Sequence, residues 1–145
     1  VPAQELLQKQ PYSLDGQIGY LLRLAYQRHS VIFQHHILMD LTPTQFAALV
    51  RIHEEKSCSQ NLLGRKISVD VATIKGVVDR LNKKGLIALS PDPQDRRRTL
   101  ISLKLKAKEM MDELYSAGEL ISDETLRLLT VPERDRLLQL LAKIS

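Results

Sequence analysis

Ser59-Gln60-Asn61-Leu62-Leu63-Gly64-Arg65-Lys66-Ile67, then Ser68-Val69-Asp70, then Val71-Ala72-Thr73-Ile74-Lys75-Gly76-Val77-Val78-Asp79-Arg80-Leu81-Asn82-Lys83-Lys84-Gly85 is the stretch whose reading decides the fold. Ser59 is a good N-cap, and Leu62, Leu63 and Ile67 share one face of a short helix. Ser68-Val69-Asp70 makes a turn, and Asp70 can accept from the free N–H groups opening the next helix. In that helix, from about Val71 to Lys84, Ile74, Val77, Val78 and Leu81 are spaced as one buried stripe. The opposite face carries Ala72, Thr73, Lys75, Gly76, Arg80 and Lys83, small or basic residues that can approach another surface closely. Gly85 follows as a left-handed stop, with Lys83 and Lys84 where cations suit the helix dipole.

Beyond Gly85 the period changes. Leu86–Ser90 and Thr99–Lys104 read as two short strands around a charged, proline-containing tip, Pro91-Asp92-Pro93-Gln94-Asp95-Arg96-Arg97-Arg98. Two short helices followed by such a hairpin make a winged helix-turn-helix, a unit whose usual task is to hold DNA. Residues 57–106 hold eleven Lys/Arg and four Asp/Glu, a net +7, whereas the whole chain is only +4, which leaves the remainder at −3. A merely solvated basic face does not account for charge concentrated on the motif; phosphate binding does.

The surrounding sequence supplies the rest of a mainly α chain. Leu14 to about Met39 reads as one long helix with an apolar stripe through Ile18, Leu21, Leu22, Ala25, Ile32, Phe33 and Ile37, broken at Asp40-Leu41. Thr42-Pro43-Thr44-Gln45 opens the next helix with a capping box, and Phe46, Leu49, Val50 and Ile52 turn it to the core before an end near Lys56. Leu105–Leu129 reads as a second long helix, loosened at Gly118. Thr130-Val131-Pro132-Glu133 opens a last helix whose Leu137, Leu138, Leu140, Leu141 and Ile144 spread over more than one face. Terminal helices this apolar call for a second copy of the chain. Residues 1–145 are therefore expected to form one domain, with 14–40 and 105–145 for dimerisation and 42–104 for DNA. Val1–Ser13 is expected to be a helical turn or an arm interrupted at Pro11.

Charged residues make up 26% and apolar ones 43%, an ordinary globular balance. No apolar run reaches membrane-spanning length, Val1–Gln10 carries no signal-peptide pattern, and one cysteine excludes an internal disulfide. A cytoplasmic protein is the simple expectation. No phosphate-binding glycine loop and no Gly-x-Ser-x-Gly elbow occur, so no enzyme activity and no cofactor are expected. Among His29, His35, His36 and His53, the pair His29 and His36 lies one heptad apart, but no nearby Cys, Asp or Glu completes a four-ligand set, and no metal site is expected.

Taken together, Leu41-Thr42-Pro43-Thr44-Gln45-Phe46, the helix pair, Asp79-Arg80-Leu81, Gly85-Leu86-Ile87 and Asp92-Pro93-Gln94-Asp95-Arg96-Arg97 resemble the multiple-antibiotic-resistance regulator (MarR) family of winged-helix transcription factors. The resemblance implies a homodimer on a double-stranded, pseudo-palindromic operator, with a recognition helix in each of two major grooves and wings in the flanking minor grooves. It also implies a repressor released by a small, often aromatic, effector. For the wing it implies a minor-groove arginine at Arg97 braced by Asp95. The DNA-facing set expected is Ser59, Gln60, Arg65 and Lys66 on the backbone, Asp70, Val71, Ala72, Thr73, Lys75, Gly76 and Arg80 on or beside the recognition helix, and Asp95, Arg96 and Arg97 in the wing. Family recognition helices often carry Ser, Thr or Arg where this chain has Val71, Ala72 and Gly76, which shifts base reading toward thymine methyls and Lys75.

The family pocket lies between the DNA module and the dimer helices, where Arg23, Tyr26, Gln27, His29, Phe46 and Arg51 are the polar or aromatic residues on offer. Ile18–Arg23 with Gln27-Arg28-His29 is similar to branches controlling aromatic or nitrogen-heteroaromatic acid degradation, and an aromatic carboxylate is the expected effector. Peroxide-sensing members use a cysteine near the start of the chain; Cys58, just before the first helix of the motif, reads instead as a small buried hydrophobe. The competing class is a winged helix that binds protein or RNA and senses no effector.

Overall fold

The computed structural model describes residues 11–145, so the expected arm before Pro11 lies outside the described residues. The first long helix is shorter than its apolar pattern. A 3-10 turn spans Leu14–Gly16, and α1 runs Ile18–His36. It starts where Gln17 Oε1 accepts from the Tyr20 N–H (2.6 Å), and it ends where Ile37 turns extended and Met39 and Asp40 adopt positive φ. Helix α2, Pro43–Glu55, opens with the expected capping box: the Gln45 N–H donates to Thr42 Oγ1 (3.1 Å) and the Thr42 N–H to Gln45 Oε1 (3.2 Å).

A strand that the pattern does not announce follows. Strand β1, Ser57–Ser59, pairs antiparallel with the second wing strand, Cys58 opposite Ile101. Helix α3, Gln60–Lys66, then starts at Ser59, whose Oγ accepts from the Leu62 N–H (3.2 Å), and α4 is Val71–Lys83. At the end of α4 the Leu86 N–H donates to the Leu81 carbonyl (3.2 Å) and the Gly85 N–H to that of Asn82 (3.0 Å). This is a Schellman closure, and only a residue at ease with φ 74° suits Gly85. The wing strands are β2, Ile87–Pro91, and β3, Thr99–Leu103, and the sheet order is β1-β3-β2. The wing is thus two strands of a three-stranded antiparallel sheet rather than an isolated hairpin.

Helix α5 is Leu105–Thr125 and α6 is Val131–Ile144. α5 stops four residues before the expected Leu129. Its last carbonyls are met by the Arg28 guanidinium, with Nη1 donating to the Thr125 carbonyl (2.6 Å) and Nη2 to that of Glu124 (3.0 Å). Gly118 does not loosen α5. It lets α2 approach: a Cβ there would stand 3.1 Å from Phe46 Cζ.

The main core lies inside the winged helix, where Leu49, Ile52, Leu63, Ile74, Leu81, Ile87, Ile101, Met111 and Leu114 are fully buried. Ile32, Phe33 and Ile121 join α1 to α5 in a smaller cluster. No residue of α6 is buried, and Ile18, Leu21, Leu22, Val31, Leu138 and Ile144 all stand exposed.

Candidate nucleic-acid interface and effector groove

The buried stripe of α4 leaves Val71, Ala72, Thr73, Lys75 and Arg80 exposed on the far face, with Gly76 half-buried between them. Val71 is 71% exposed and available to an apolar contact such as a thymine methyl. Asp70 caps the helix: its Oδ1 accepts from the Thr73 N–H at 2.7 Å. Hydrogen bonds from the Thr73 hydroxyl and N–H hold the Asp70 carboxyl below the usual carboxylate range. The Thr73 side chain, expected to face a base, stands exposed beside the cap.

Ser59, Gln60 and Arg65 meet Arg97 around a polar cleft of about 340 Å³ between α3 and the base of the wing. Asn61, Arg98 and Thr99 line the same cleft, although the spacing of the sequence does not single them out. Their adjacency depends on β1 pinning α3 to β3, a pairing of three residues too short to register as a pattern. Lys66 turns away, its Nζ 3.1 Å from Glu55 Oε1, and so ties α3 to α2. Arg96 stands exposed at the wing tip.

The expected Asp95–Arg97 brace exists in a different form. Asp95 Oδ1 accepts from the backbone N–H of Arg97 (3.0 Å) rather than from its guanidinium, and the Asp95 carbonyl accepts from the Arg98 N–H (2.9 Å). A carboxylate two residues before an N–H closes a local turn more readily than it reaches around a side chain. Asp92 does the same, Oδ1 accepting from the Gln94 N–H (2.9 Å), while its own N–H donates to the Arg98 carbonyl (2.9 Å). The wing tip is shaped by its carboxylates, and the three guanidinium groups are left to solvent.

On the opposite side, α1, α5 and α6 enclose an apolar groove of about 650 Å³ into which Arg23, Tyr26 and His29 face beside Leu126, Leu137 and Leu141. His29 Nδ1 and Thr125 Oγ1 share a hydrogen bond of 2.9 Å. The Arg23 guanidinium lies 5.3 Å from the centre of the Tyr20 ring. Phe46 lines a separate hollow of about 600 Å³ with Val50, Tyr115, Gly118 and Glu119. Phe33 links the two, its ring 6.3 Å from His29 and 6.1 Å from Phe46. Gln27 and Arg51 belong to neither: Gln27 is exposed, and Arg51 pairs with Glu54 at 2.9 Å on the surface. Tyr115, which the sequence does not single out, bonds His53 Nδ1 at 2.8 Å. Burial and the nearby Glu54 and Asp112 charges push its hydroxyl pKa up.

His36 pairs with Glu124, and among the described residues no cluster of three or more His, Cys, Asp or Glu is arranged to hold a metal. Cys58 is buried, and burial followed by the Glu55 charge raises its thiol pKa, the environment of an inert cysteine. No described helix is long and apolar enough to cross a membrane.

Residues 41–99 match the model of the MarR family. The chain is 38% identical over 144 residues to the HTH-type transcriptional repressor NicR of Pseudomonas putida, covering 99% of this chain and 91% of that protein. A structure of BpsR from Bordetella bronchiseptica, solved for the mechanism by which 6-hydroxynicotinic acid regulates its DNA binding, superposes with a TM-score of 0.86 at 37% identity, covering 93% of this chain and 97% of the other. A mutant MarR from Escherichia coli in complex with operator DNA gives 0.80 at 26% identity, covering 88% and 92%. The winged helix, its basic face and these likenesses across nearly the whole length agree: the chain belongs to the MarR family of DNA-binding transcription regulators.

Proposed function

We propose that the protein is a homodimeric repressor that binds a pseudo-palindromic operator and is released by an aromatic or nitrogen-heteroaromatic acid. The observation that carries this is the pairing of an exposed face on α4 and the wing, rich in lysine and arginine, with an apolar groove bordered by α1, α5 and α6. One domain would serve both ends, residues 42–104 for DNA and residues 14–40 with 105–145 for the dimer. Ser59, Gln60 and Arg65 would contact the backbone, with the neighbouring Arg98, Arg97 would enter the flanking minor groove, and Ala72, Thr73 and Lys75 would meet base edges. Work on an operator requires access to chromosomal DNA, hence a cytoplasmic protein, and the task is binding rather than catalysis.

The effector reading draws on the similarity to BpsR and on the groove. An aromatic carboxylate needs a cation or several donors in an otherwise apolar cleft. Arg23 and His29 supply these, with Tyr26 for the ring; Arg51, paired on the surface, is a poorer candidate. Selection of bound duplexes from a random library should return half-sites about one helical turn apart within roughly 16–20 base pairs. Affinity should fall steeply with salt. A protein that ignores duplex DNA at low salt but retains RNA or a protein partner would support the competing class. With the selected duplex in hand, 6-hydroxynicotinic acid and related acids are titrated with and without operator. Ligand should weaken DNA binding, and DNA should weaken ligand binding, by the same factor; equal ligand affinity in both titrations overturns the release mechanism.

A further inference from the structure

Lys84 occupies the C-cap of α4, and its side chain leaves that helix altogether. Its ammonium donates to the carbonyl of Met39 and to that of Asp40, both at 2.9 Å. These two residues form the turn between α1 and α2, and they have φ of 58° and 51°. Neither is glycine, and consecutive non-glycine residues with positive φ persist only where the surroundings hold them. Leu41, buried in the core, anchors the turn from the α2 side. Ile37, Leu38 and Met39 are half-buried against the core, whereas Asp40 stands exposed at the rim of a hollow of about 570 Å³, so packing holds the apolar side of the turn and leaves its carbonyls to a polar partner. Among the described residues no carboxylate lies within ion-pair distance of Lys84. Its charge is answered by two carbonyls, charge-assisted bonds of the stronger kind.

The position of this contact gives it consequence. Helix α1 packs chiefly on α5, and no contact of comparable extent joins it to α4, so the dimer end reaches the DNA-reading helix mainly through other elements. Lys84 bridges that gap from the end of α4 itself. We propose that Lys84 is a positioning residue for operator recognition: its ammonium locks the α1–α2 turn to the end of α4 and fixes the angle between dimer helices and recognition helix. The proposal rests on the DNA-binding homodimer above. In a dimer that angle sets the distance between the two recognition helices, and therefore the half-site spacing that both can satisfy at once.

Lys84→Met keeps the aliphatic stem and removes the donors, and Lys84→Arg restores donors of the same charge. Hydrogen exchange of the DNA-free protein should show faster exchange over residues 37–42 in Lys84→Met, with α4 protected as before, and near-normal exchange in Lys84→Arg. Against the selected operator, Lys84→Met should bind about tenfold more weakly, discriminate less against operators with one or two base pairs added between half-sites, and keep its salt slope. Unchanged exchange over 37–42 overturns the latch, whatever the DNA result. Weaker binding with intact spacing preference and a salt slope reduced by about 0.9, the signature of one lost phosphate contact, overturns it in favour of direct contact. If the unsubstituted protein binds no duplex at low salt, the DNA-binding reading fails, and the exchange result still reports whether the latch exists.

Discussion

Asp70 and Gly118 show how single positions are committed before any ligand arrives. The Asp70 carboxylate is bonded in the folded chain and free in the unfolded one, so its folded pKa lies below the unfolded value. Its stabilisation is therefore present above the ordinary carboxylate pKa and is lost as pH falls through the folded one. Asp70→Ala should lower the urea midpoint at neutral pH, and the gap from the parent protein should close as pH falls below the usual carboxylate range. A gap constant down to strongly acid pH would deny Asp70 its capping role. Gly118 carries the opposite constraint. Its replacement by valine drives a branched side chain into a Phe46 ring 3.1 Å from the Cβ position, an overpacking that should cost about 1–3 kcal/mol in urea unfolding. An unchanged midpoint would mean that the ring swings freely into its hollow.

The elements divide by how much of their cause is local. Helices α2, α3 and α4 are legible residue by residue, because caps at Thr42, Ser59 and Asp70 and the stripe Ile74, Val77, Val78, Leu81 act within a few residues of where they appear. The limits of α1 and α5 are not. The pattern runs on to Met39 and Leu129, but the chain turns earlier, where a positive-φ pair and the Arg28 guanidinium intervene from outside the periodicity. Strand β1 is hidden for a related reason: three residues leave no alternation, and their pairing with β3 spans some forty positions. The polar cleft at the wing was legible only in part, since Asn61 and Arg98 enter it through that pairing. Cys58 sits at the centre of β1, and Cys58→Ser would place a hydroxyl in the apolar interior. This should cost about 1–3 kcal/mol, measurable as a lower denaturation midpoint, and the parent thiol should resist alkylation until the chain unfolds. Rapid alkylation of the folded protein would show that β1 is not a lasting part of the sheet.

At the scale of the whole molecule, the single chain has too much surface. It exposes 10945 Å², whereas area scaling gives roughly 7,600 Å² for a compact monomer of this length. Even fully extended, the ten residues before Pro11 could supply no more than about 1,700 Å² of the excess by the same scaling. The remainder is comparable to what each partner of an obligate dimer buries. Its location agrees with the proposed dimer, because the exposed apolar side chains gather on α1 and α6 rather than on the winged helix. Leu138, which also lines the groove between α1, α5 and α6, tests this when operator binding is read without effector. At 53% exposure in the single chain it does little for the fold, yet a charge there would have to be buried unpaired in an interface. Leu138→Glu should keep its helical circular dichroism, shift the solution mass at micromolar concentration from two chains toward one, and weaken operator binding by at least about a hundredfold, which is about 2.7 kcal/mol. Binding to an isolated half-site should hardly change, since the DNA face is untouched. A variant that stays dimeric with full operator affinity would place the interface elsewhere, and the greasy face of α6 would then need another explanation.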